Sequence, residues 1–388
     1  MTTMKPIQAI FAEKFGPAGR IVTAVAPGRV NLLGEHTDYN EGYVLPMAIE
    51  FQMQMAGRLR ADATVNVYSV DFQQTAAFSV AEPLLRDAEH PWSNYIRGVL
   101  WAFQDAGYAI PGLDLAFGGD LPQGAGLSSS AALEISLAVL LQNLAGWSLE
   151  PAQVALLCQR AENEFVGMKC GVMDQFASIM SQTGHALFLD CRTLAFEHIP
   201  LEVGDYRILI CHSGVKHELV ASEYNLRRAS CNAGVAVLQR YFPEVKALRD
   251  VTLEMLETYH LELDPTVFRR CFHIVTENRR VLEGIQTLRR GDLDRFGQLM
   301  NQSHDSQRDY YEVSCAEVDL LVDLARQVPG VLGARITGGG FGGCTVNLIH
   351  QDAIERFRQT VVNGYHQKTG IEPRLFVCAP GPGARIIE

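Results

Sequence analysis

Leu121-Pro122-Gln123-Gly124-Ala125-Gly126-Leu127-Ser128-Ser129-Ser130-Ala131-Ala132 runs directly into an apolar segment that continues to Leu144. The pattern predicts a loop that delivers a helix N-terminus. Two glycines let the backbone turn with positive φ and admit a bulky neighbour, and the serines gather where the first helical N–H groups lack an intrahelical partner. Free N–H groups and the positive end of the helix dipole suit a phosphate. A glycine turn followed by a serine-capped core helix accounts for the same residues. No lysine lies between Leu121 and Asn143, so this is not the GxxxxGK[ST] phosphate loop, and some other cation must meet the phosphates.

The 388-residue chain is long enough for two domains, each with its own core. Hydrophobic residues make up 47% and charged residues 20%, as in a globular protein. A net charge of −11 argues against nucleic acid or an acidic membrane surface as partner. The nine cysteines contain no CxxC pair, which favours neither a zinc site nor a disulfide framework and makes a reducing cytosol the expected compartment. Met1 to Lys14 lacks an apolar stretch of signal-peptide length, and no run approaches the length of a membrane span.

A short amphipathic helix is expected over residues 5–15 and a strand from Ile21 to Ala26, ended by Pro27-Gly28. Residues 29–40 then crowd an arginine, two carboxylates, a histidine and asparagines between turn residues. That density is too polar for a core strand and belongs to a binding or catalytic loop. Strands are expected within 44–60 and 64–80, where Ser69 reads most simply as facing solvent. A helix follows from Trp92 to Ala106, then a strand from Leu113 to Gly118. The helix from Ser129 to Leu144 stops at Gly146, and Ser148 offers the cap of another that runs to about Phe165. Glu162 and Glu164 sit near the end of that helix, against the dipole, which points to another job for them. Asp174 opens the next helical stretch, where it could be no more than an N-terminal carboxylate.

His185–Asp190 and Arg207–His212 read as strands. Long helices dominate after about residue 200, so the expected domains are 1–200 and 201–388. The arginine pairs at 227–228, 269–270, 279–280 and 289–290 read as solvated helix faces. Ser314-Cys315-Ala316-Glu317 has the capping-box pattern. Gly338 to Gly343 holds five glycines in six positions, a cost in conformational entropy unless backbones approach closely there. A helix from Ala353 to Lys368, capped by Gly370, and a strand from Arg374 to Ala379 close the chain.

Pro27 to Asn40, Leu121 to Ala132 and Thr337 to Gly343, in this order and spacing, closely resemble the three motifs of the GHMP small-molecule kinases. Within that superfamily Gly28 to Asn40 looks like the galactokinase signature, with leucine at 33 where isoleucine is common. Cys170 to Gln175 and Ser222 to Arg228 resemble the same family, so the likeness covers nearly the whole chain. It implies an α+β protein of GHMP kinase fold, with a ribosomal protein S5 domain 2-like N-terminal domain and a ferredoxin-like C-terminal domain. It also implies ATP-dependent phosphorylation of the anomeric hydroxyl of α-D-galactose, the first committed step of galactose use. The implied partners are D-galactose and MgATP, acting on a cytoplasmic monomer with no nucleic acid or membrane involved.

Residue by residue, the resemblance assigns the ATP phosphates to Gly124, Ala125, Gly126, Leu127, Ser128, Ser129 and Ser130, and Mg²⁺ to Ser130 and Glu162. Glu35, His36, Thr37, Asp38, Asp174 and Tyr224 match sugar-contacting positions, and Ser69 a nucleotide-side position. The chemistry is consistent with this. Phosphoryl transfer needs positioning and charge stabilisation, so Arg29 and Mg²⁺ can replace the missing lysine. Asp174 is the candidate general base for the anomeric hydroxyl, which is more acidic than an ordinary alcohol, although an arginine beside it weakens it in that role. Asp174 is therefore expected to orient the hydroxyl and accept its proton while Arg29 offsets negative charge.

Mevalonate and homoserine kinases are rivals that the Glu35–Asn40 run disfavours, and N-acetylgalactosamine kinase is a closer one. A non-catalytic galactose sensor is the rival of another class. The complete Ser128–Ala132 run favours catalysis.

Overall fold

The structure, a computed structural model, describes residues 5–122, 125–215 and 220–387. The first half of the chain runs α1 (Ile7–Phe15), β1 (Val22–Asn31), β2 (Tyr43–Val44), β3 (Pro46–Leu59), β4 (Thr64–Ser69), β5 (Gln74–Ser79), α2 (Ser93–Asp105) and β6 (Leu113–Gly119). It continues with α3 (Ser129–Ala145), α4 (Pro151–Arg160), α5 (Met173–Met180), β7 (His185–Asp190) and β8 (Phe196–Pro200). The second half contributes β9 (Tyr206–His212), α6 (Val220–Leu238), α7 (Leu253–Thr258), α8 (Pro265–Arg289), α9 (Leu293–Ser306) and α10 (Ala316–Arg326). Then come β10 (Val331–Thr337), β11 (Cys344–His350), α11 (Ile354–Phe357), α12 (Asn363–Thr369), β12 (Arg374–Cys378) and β13 (Arg385–Ile387).

Among the described residues the strands form three sheets. The largest has the order β13-β1-β3-β6-β4-β5, antiparallel except where β4 runs alongside β6. A small sheet joins β2, β7 and β8. The third has the order β10-β11-β9-β12 and is antiparallel throughout. With α6–α9 set between β9 and α10, the chain order β9, α10, β10, β11, α11–α12, β12 gives the βαββαβ pattern of a ferredoxin-like unit carrying a helical insertion. Strand β13 crosses back to pair with β1, so the last residues join the first sheet.

Helix α3 is apolar around most of its middle turns because those turns are buried. Ile135, Leu137, Leu140 and Leu141 are fully covered, between the large sheet and helices α2, α4 and α5. Gly146 closes the helix in the left-handed conformation, as its position in the sequence suggests. On the other face of the sheet, Ile7 and Phe11 of α1 pack on Ala56, Tyr68 and Ala116.

Several local expectations are corrected. Pro27-Gly28 does not end β1. The strand continues to Asn31, with its register against β3 shifting between Pro27 and Arg29, and the irregularity absorbs the missing proline N–H. Arg29 is thus a strand residue. Glu150, not Ser148, stands at the N-cap of α4, directly before Pro151. Helix α4 ends at Arg160 and passes into a π-helical turn, Ala161–Val166, whose wider winding turns Glu162 inward. Ser314 caps nothing, because its hydroxyl donates to Asp319 and Cys315 takes the N-cap. The last long helix is interrupted by a π turn at Arg358–Val362. Nor are all the arginine pairs solvated: Arg270 is buried and bonds Glu312, and Arg280 neutralises the fully buried Glu277.

Replacing Leu140 by alanine removes a wholly buried side chain from α3. The expected loss is about 2–5 kcal/mol of unfolding free energy, read from urea melts at unchanged slope.

Candidate active site

The site begins with where β1 puts Arg29. The Arg29 amide donates to Leu127 O at 3.1 Å, and its guanidinium donates from Nη1 to Gly126 O at 2.8 Å. Nε and Nη2 grip the two oxygens of Asp174 at 2.8 and 2.9 Å. Asp174 stands in the first turn of α5. Ser128, held at a φ of 60°, completes the arrangement by donating from Oγ to Asp174 Oδ2 at 2.6 Å. One ion pair thereby joins a central strand, the glycine-serine loop and a helix N-terminus. Burial alone would lower the Arg29 pKa, but Asp174 and Glu35 more than offset that, so Arg29 is a fixed cation.

The loop after β1 supplies the second wall. Glu35 Oε1 accepts from Gly338 N at 2.7 Å and from the Thr337 hydroxyl at 3.1 Å, with buried Arg335 behind it at 3.4 Å. Burial raises the Glu35 pKa, against the pull of Arg335 and Arg29. Gly338, with φ 86°, rests so closely on the glycine-serine loop that a Cβ there would lie 2.7 Å from Gly126 O. Positive φ and contact distance both demand glycine. Asp38 is pushed up to about 7 by burial and by the charge of Asp174, while amide donors from Tyr39 and Met173 partly offset this. Its carboxylate lies against the backbone of Gly171, where any Cβ would fall 2.0 Å from Oδ2. His36, also with positive φ, and Tyr224 of α6 pack with tilted rings at 5.3 Å between centroids.

A third group faces these residues across the cavity. Glu162 is hydrogen-bonded to Ser130 and is pushed up to about 7, by burial first and by Asp174 second. Gln175 Nε2 donates to Glu162 Oε2 at 2.8 Å and to Glu134 Oε2 at 3.1 Å. Glu134 is fully buried, has an unpartnered Oε1, and is driven well above the usual carboxylate range by desolvation.

Arg29, Glu35, His36, Asp38, Gly126, Leu127, Ser128, Ser129, Ser130, Glu162, Asp174 and Tyr224 all line one cavity of about 220 Å³. Thr37 does not: its hydroxyl bonds the carbonyls of Gly34 and Tyr43 and holds the turn. Ala125 packs into the core beneath the loop. Ser69 is fully buried rather than solvent-facing, and its Oγ accepts from Phe72 N. Gly124 lies outside the described residues. A second cavity of about 740 Å³ shares Ser129 and Ser130 with the first and is walled by Phe72, Trp92, Phe117 and Leu133.

The sequence reading missed Glu134, Gln175 and the stacked Phe72–Trp92 pair, whose rings are 6.1 Å apart and nearly parallel. Glu134 did carry a signal, as the one charged residue in a mostly apolar helix. The aromatic pair carried none, because its partners come from separate segments.

Residues 94–182 match the model of the GHMP kinases N-terminal domain, and residues 285–367 that of the GHMP kinases C-terminal domain. The Methanococcus jannaschii mevalonate kinase structure superposes with a TM-score of 0.64 at 17% identity, over 94% of this chain and all of that one, a likeness of fold alone. Fold and site together define a GHMP-type small-molecule kinase. Residues 9–59 match the galactokinase galactose-binding signature. The galactokinase of Roseiflexus sp. (strain RS-1) is 42% identical over 373 residues, covering 96% of this chain and 94% of that protein. The crystal structure of Lactococcus lactis galactokinase complexed with galactose superposes with a TM-score of 0.94 at 36% identity, over 97% of this chain and 98% of that one. The chain belongs to the galactokinase family.

Gly171→Ala is expected to displace Asp38 while leaving the fold intact, because the added methyl meets a side chain at the cavity rather than the core. Amide NMR shift changes confined to residues near 38 and 171, at an unchanged melting temperature, would bear this out.

Proposed function

We propose that the chain transfers the γ-phosphoryl group of ATP to the anomeric hydroxyl of α-D-galactose, giving α-D-galactose 1-phosphate and ADP. The observation that carries this reading is Asp174, held by Arg29 and Ser128 where the Glu35–His36–Asp38–Tyr224 wall meets the Gly126–Ser130 loop. Family membership supports the substrate and the ATP requirement.

In this reading the sugar lies against Glu35, His36, Asp38, Asp174 and Tyr224, with its anomeric hydroxyl toward Asp174. A wall rich in carboxylates accepts hydrogen bonds from several hydroxyls at once, and buried polar groups left unpaired by a wrong sugar make selection stringent. The triphosphate follows the N–H groups of residues 126–130 at the start of α3, and the nucleoside occupies the larger cavity, whose aromatic walls suit a base. Thr37, Ala125 and Ser69 act as support for these walls. As the anomeric oxygen forms its bond to the γ-phosphorus, its proton passes to an oxygen of Asp174 and the bond from phosphorus to the bridging oxygen of ADP breaks. Arg29 commits three of its N–H groups to Asp174 and Gly126. Two remain to meet the negative charge on the phosphoryl oxygens.

Ser130 and Glu162 would hold Mg²⁺, which when bound neutralises phosphate charge. The donor set fits: a hydroxyl and a carboxylate face the glycine-serine loop, and their neighbour Glu134 has an oxygen with no partner. Among the described residues no three acidic, histidine or cysteine side chains converge as an all-protein metal site requires. Mg²⁺ commonly takes one or two protein ligands and completes its shell from phosphate and water.

The reading includes a monomeric, cytoplasmic enzyme. All nine cysteines are unpaired, in keeping with a reducing compartment, and among the described residues no helix is long and apolar enough to cross a membrane.

Purified protein with MgATP and a panel of galactose, glucose, N-acetylgalactosamine and mevalonate should yield only the 1-phosphate of galactose, identified by phosphorus NMR. No product from any acceptor would favour a sensor instead. Asp174→Asn is expected to lower kcat by roughly 10²–10⁴, together with a loss of stability because the buried Arg29 charge loses its partner. Near-wild-type turnover would remove the proton-accepting role. Because burial and the charge of Asp174 push Asp38 up to about 7, galactose binding should strengthen as pH rises and its carboxylate ionises. Calorimetric Kd measured without nucleotide should fall roughly tenfold from pH 6 to 8, and the Asp38→Asn variant should lack that slope.

A further inference from the structure

Three polar side chains that packing alone would not bring together meet behind Glu162. Gln175 follows Asp174 in the first turn of α5 and is wholly buried. Its Nε2 donates to Oε2 of Glu162, in the π-helical turn, at 2.8 Å and to Oε2 of Glu134, in α3, at 3.1 Å. Gln175 Oε1 and Glu134 Oε1 are both left buried with no hydrogen-bond partner among the described residues. Each orphan oxygen destabilises the fold, and leucine or methionine would fill the same space without that cost. The cluster is held for something other than stability.

A carboxylate that ligates a cation carries no proton, so it can only accept, and of the two ends of an amide only the NH₂ donates. Its two protons are divided one to each acid. With one proton committed to Glu134, the amide cannot swing away from Glu162 without breaking both bonds. Cys170 Sγ lies 3.5 Å from the same Glu162 oxygen and 3.4 Å from Asn163 Oδ1, and has one proton to divide between them. Gln175 is therefore the firmer anchor of Glu162 Oε2, and Oε1 is left for the cavity that Glu162 lines.

The preceding residue fixes the other end of the same turn. Asp174 is gripped by Arg29 at 2.8 and 2.9 Å and by Ser128 at 2.6 Å. Two neighbours in one helical turn thus reach opposite parts of the cleft, Asp174 toward the acceptor and Gln175 toward the carboxylate on the phosphate side. Phosphoryl transfer depends on fixed positions of acceptor, phosphate and cation, and a shared backbone is a short route to such fixity.

We infer that Gln175, steadied by Glu134, is a positioning residue that aims Glu162 at Mg²⁺ from the helical turn that carries Asp174. The inference rests on the Ser130–Glu162 metal site of the proposed function and adds the residues that orient its carboxylate. Neither Gln175 nor Glu134 lines the cavity, so both act through Glu162. Groups that orient a ligating side chain commonly govern metal affinity by roughly 10–100-fold.

Calorimetry of ATP binding without sugar, in excess MgCl₂ and in EDTA, gives a metal preference as the ratio of the two Kd values and needs no turnover. Gln175→Leu should lower that preference roughly tenfold or more, with ATP Kd in EDTA and galactose Kd each within about twofold of wild type. Glu134→Leu should act in the same direction. Glu134→Gln, which keeps a carbonyl oxygen for the second amide proton, should stay near wild type. Pairing Glu134→Met with Gln175→Met removes both orphan oxygens and should melt no lower than wild type while the preference is lost. An unchanged preference in Gln175→Leu overturns the inference, and so does a paired variant that melts lower with its preference intact, since the cluster would then be structural. Glu162→Gln separates the two readings. If it loses the preference while Gln175→Leu keeps it, the metal site stands and the positioning role falls. If the wild-type protein binds ATP no better with Mg²⁺ than in EDTA, both fall.

Discussion

The arrangement of the cleft depends on the ion pair between Arg29 and Asp174. The arginine side chain is only 5% exposed, so its charge has to be met by protein. Losing one partner of such a pair leaves an uncompensated buried charge, which costs far more than the pair itself contributes. Two parallel N–H···O bonds also fix the angle between the partners as well as their distance. Because Arg29 belongs to β1 and Asp174 to α5, and both touch the loop at residues 126–128, this geometry ties the acceptor half of the cleft to the donor half.

Around that pair the protein accumulates features that a stable core would avoid. Five acidic side chains, Glu35, Asp38, Glu134, Glu162 and Asp174, gather in or beside one cavity, with Arg29 and Arg335 as close cations. His36 and Ser128 sit in the left-handed backbone region that costs a non-glycine residue energy. Such strain and desolvation persist where the surrounding fold over-determines them, and they concentrate at working sites. Here the surround is the buried α3 on one side and Glu277 on the other, which accepts from Gly34 N and from Ser303 and so secures the loop that carries Glu35 and His36.

Much of the site was legible in the sequence because it is contiguous. Residues 35–38 and 126–130 each occupy one short segment, and turn glycines beside polar residues are a local signal. Glu162 was legible for a different reason, since a carboxylate at a helix C-terminus contradicts the dipole. What escaped depends on contact between distant segments. Gln175 bridges Glu134 and Glu162 across two other elements, and Tyr311 meets both the Tyr39 hydroxyl and the Cys231 sulfur from a distant part of the chain. Buried arginines such as Arg270 and Arg335 look like surface residues until their partners are known. The Pro27-Gly28 break was misjudged because proline forbids one ladder bond, whereas a strand with an irregular register can forgo it.

By itself the sequence determined the α+β class, the order of most elements, the kinase family and nearly all the residues that line the cleft. The order of elements follows from periodicity and turn chemistry, and the class, the family and the cleft residues from the resemblance of ordered motifs to a known family, all of it carried by neighbouring residues. Only the tertiary structure decided that Arg29 is a strand residue locked to Asp174, and that Ser128 turns to that carboxylate. Charge pairing, burial and hydrogen-bond direction are set between segments far apart in the chain, so they exist only once the chain has folded.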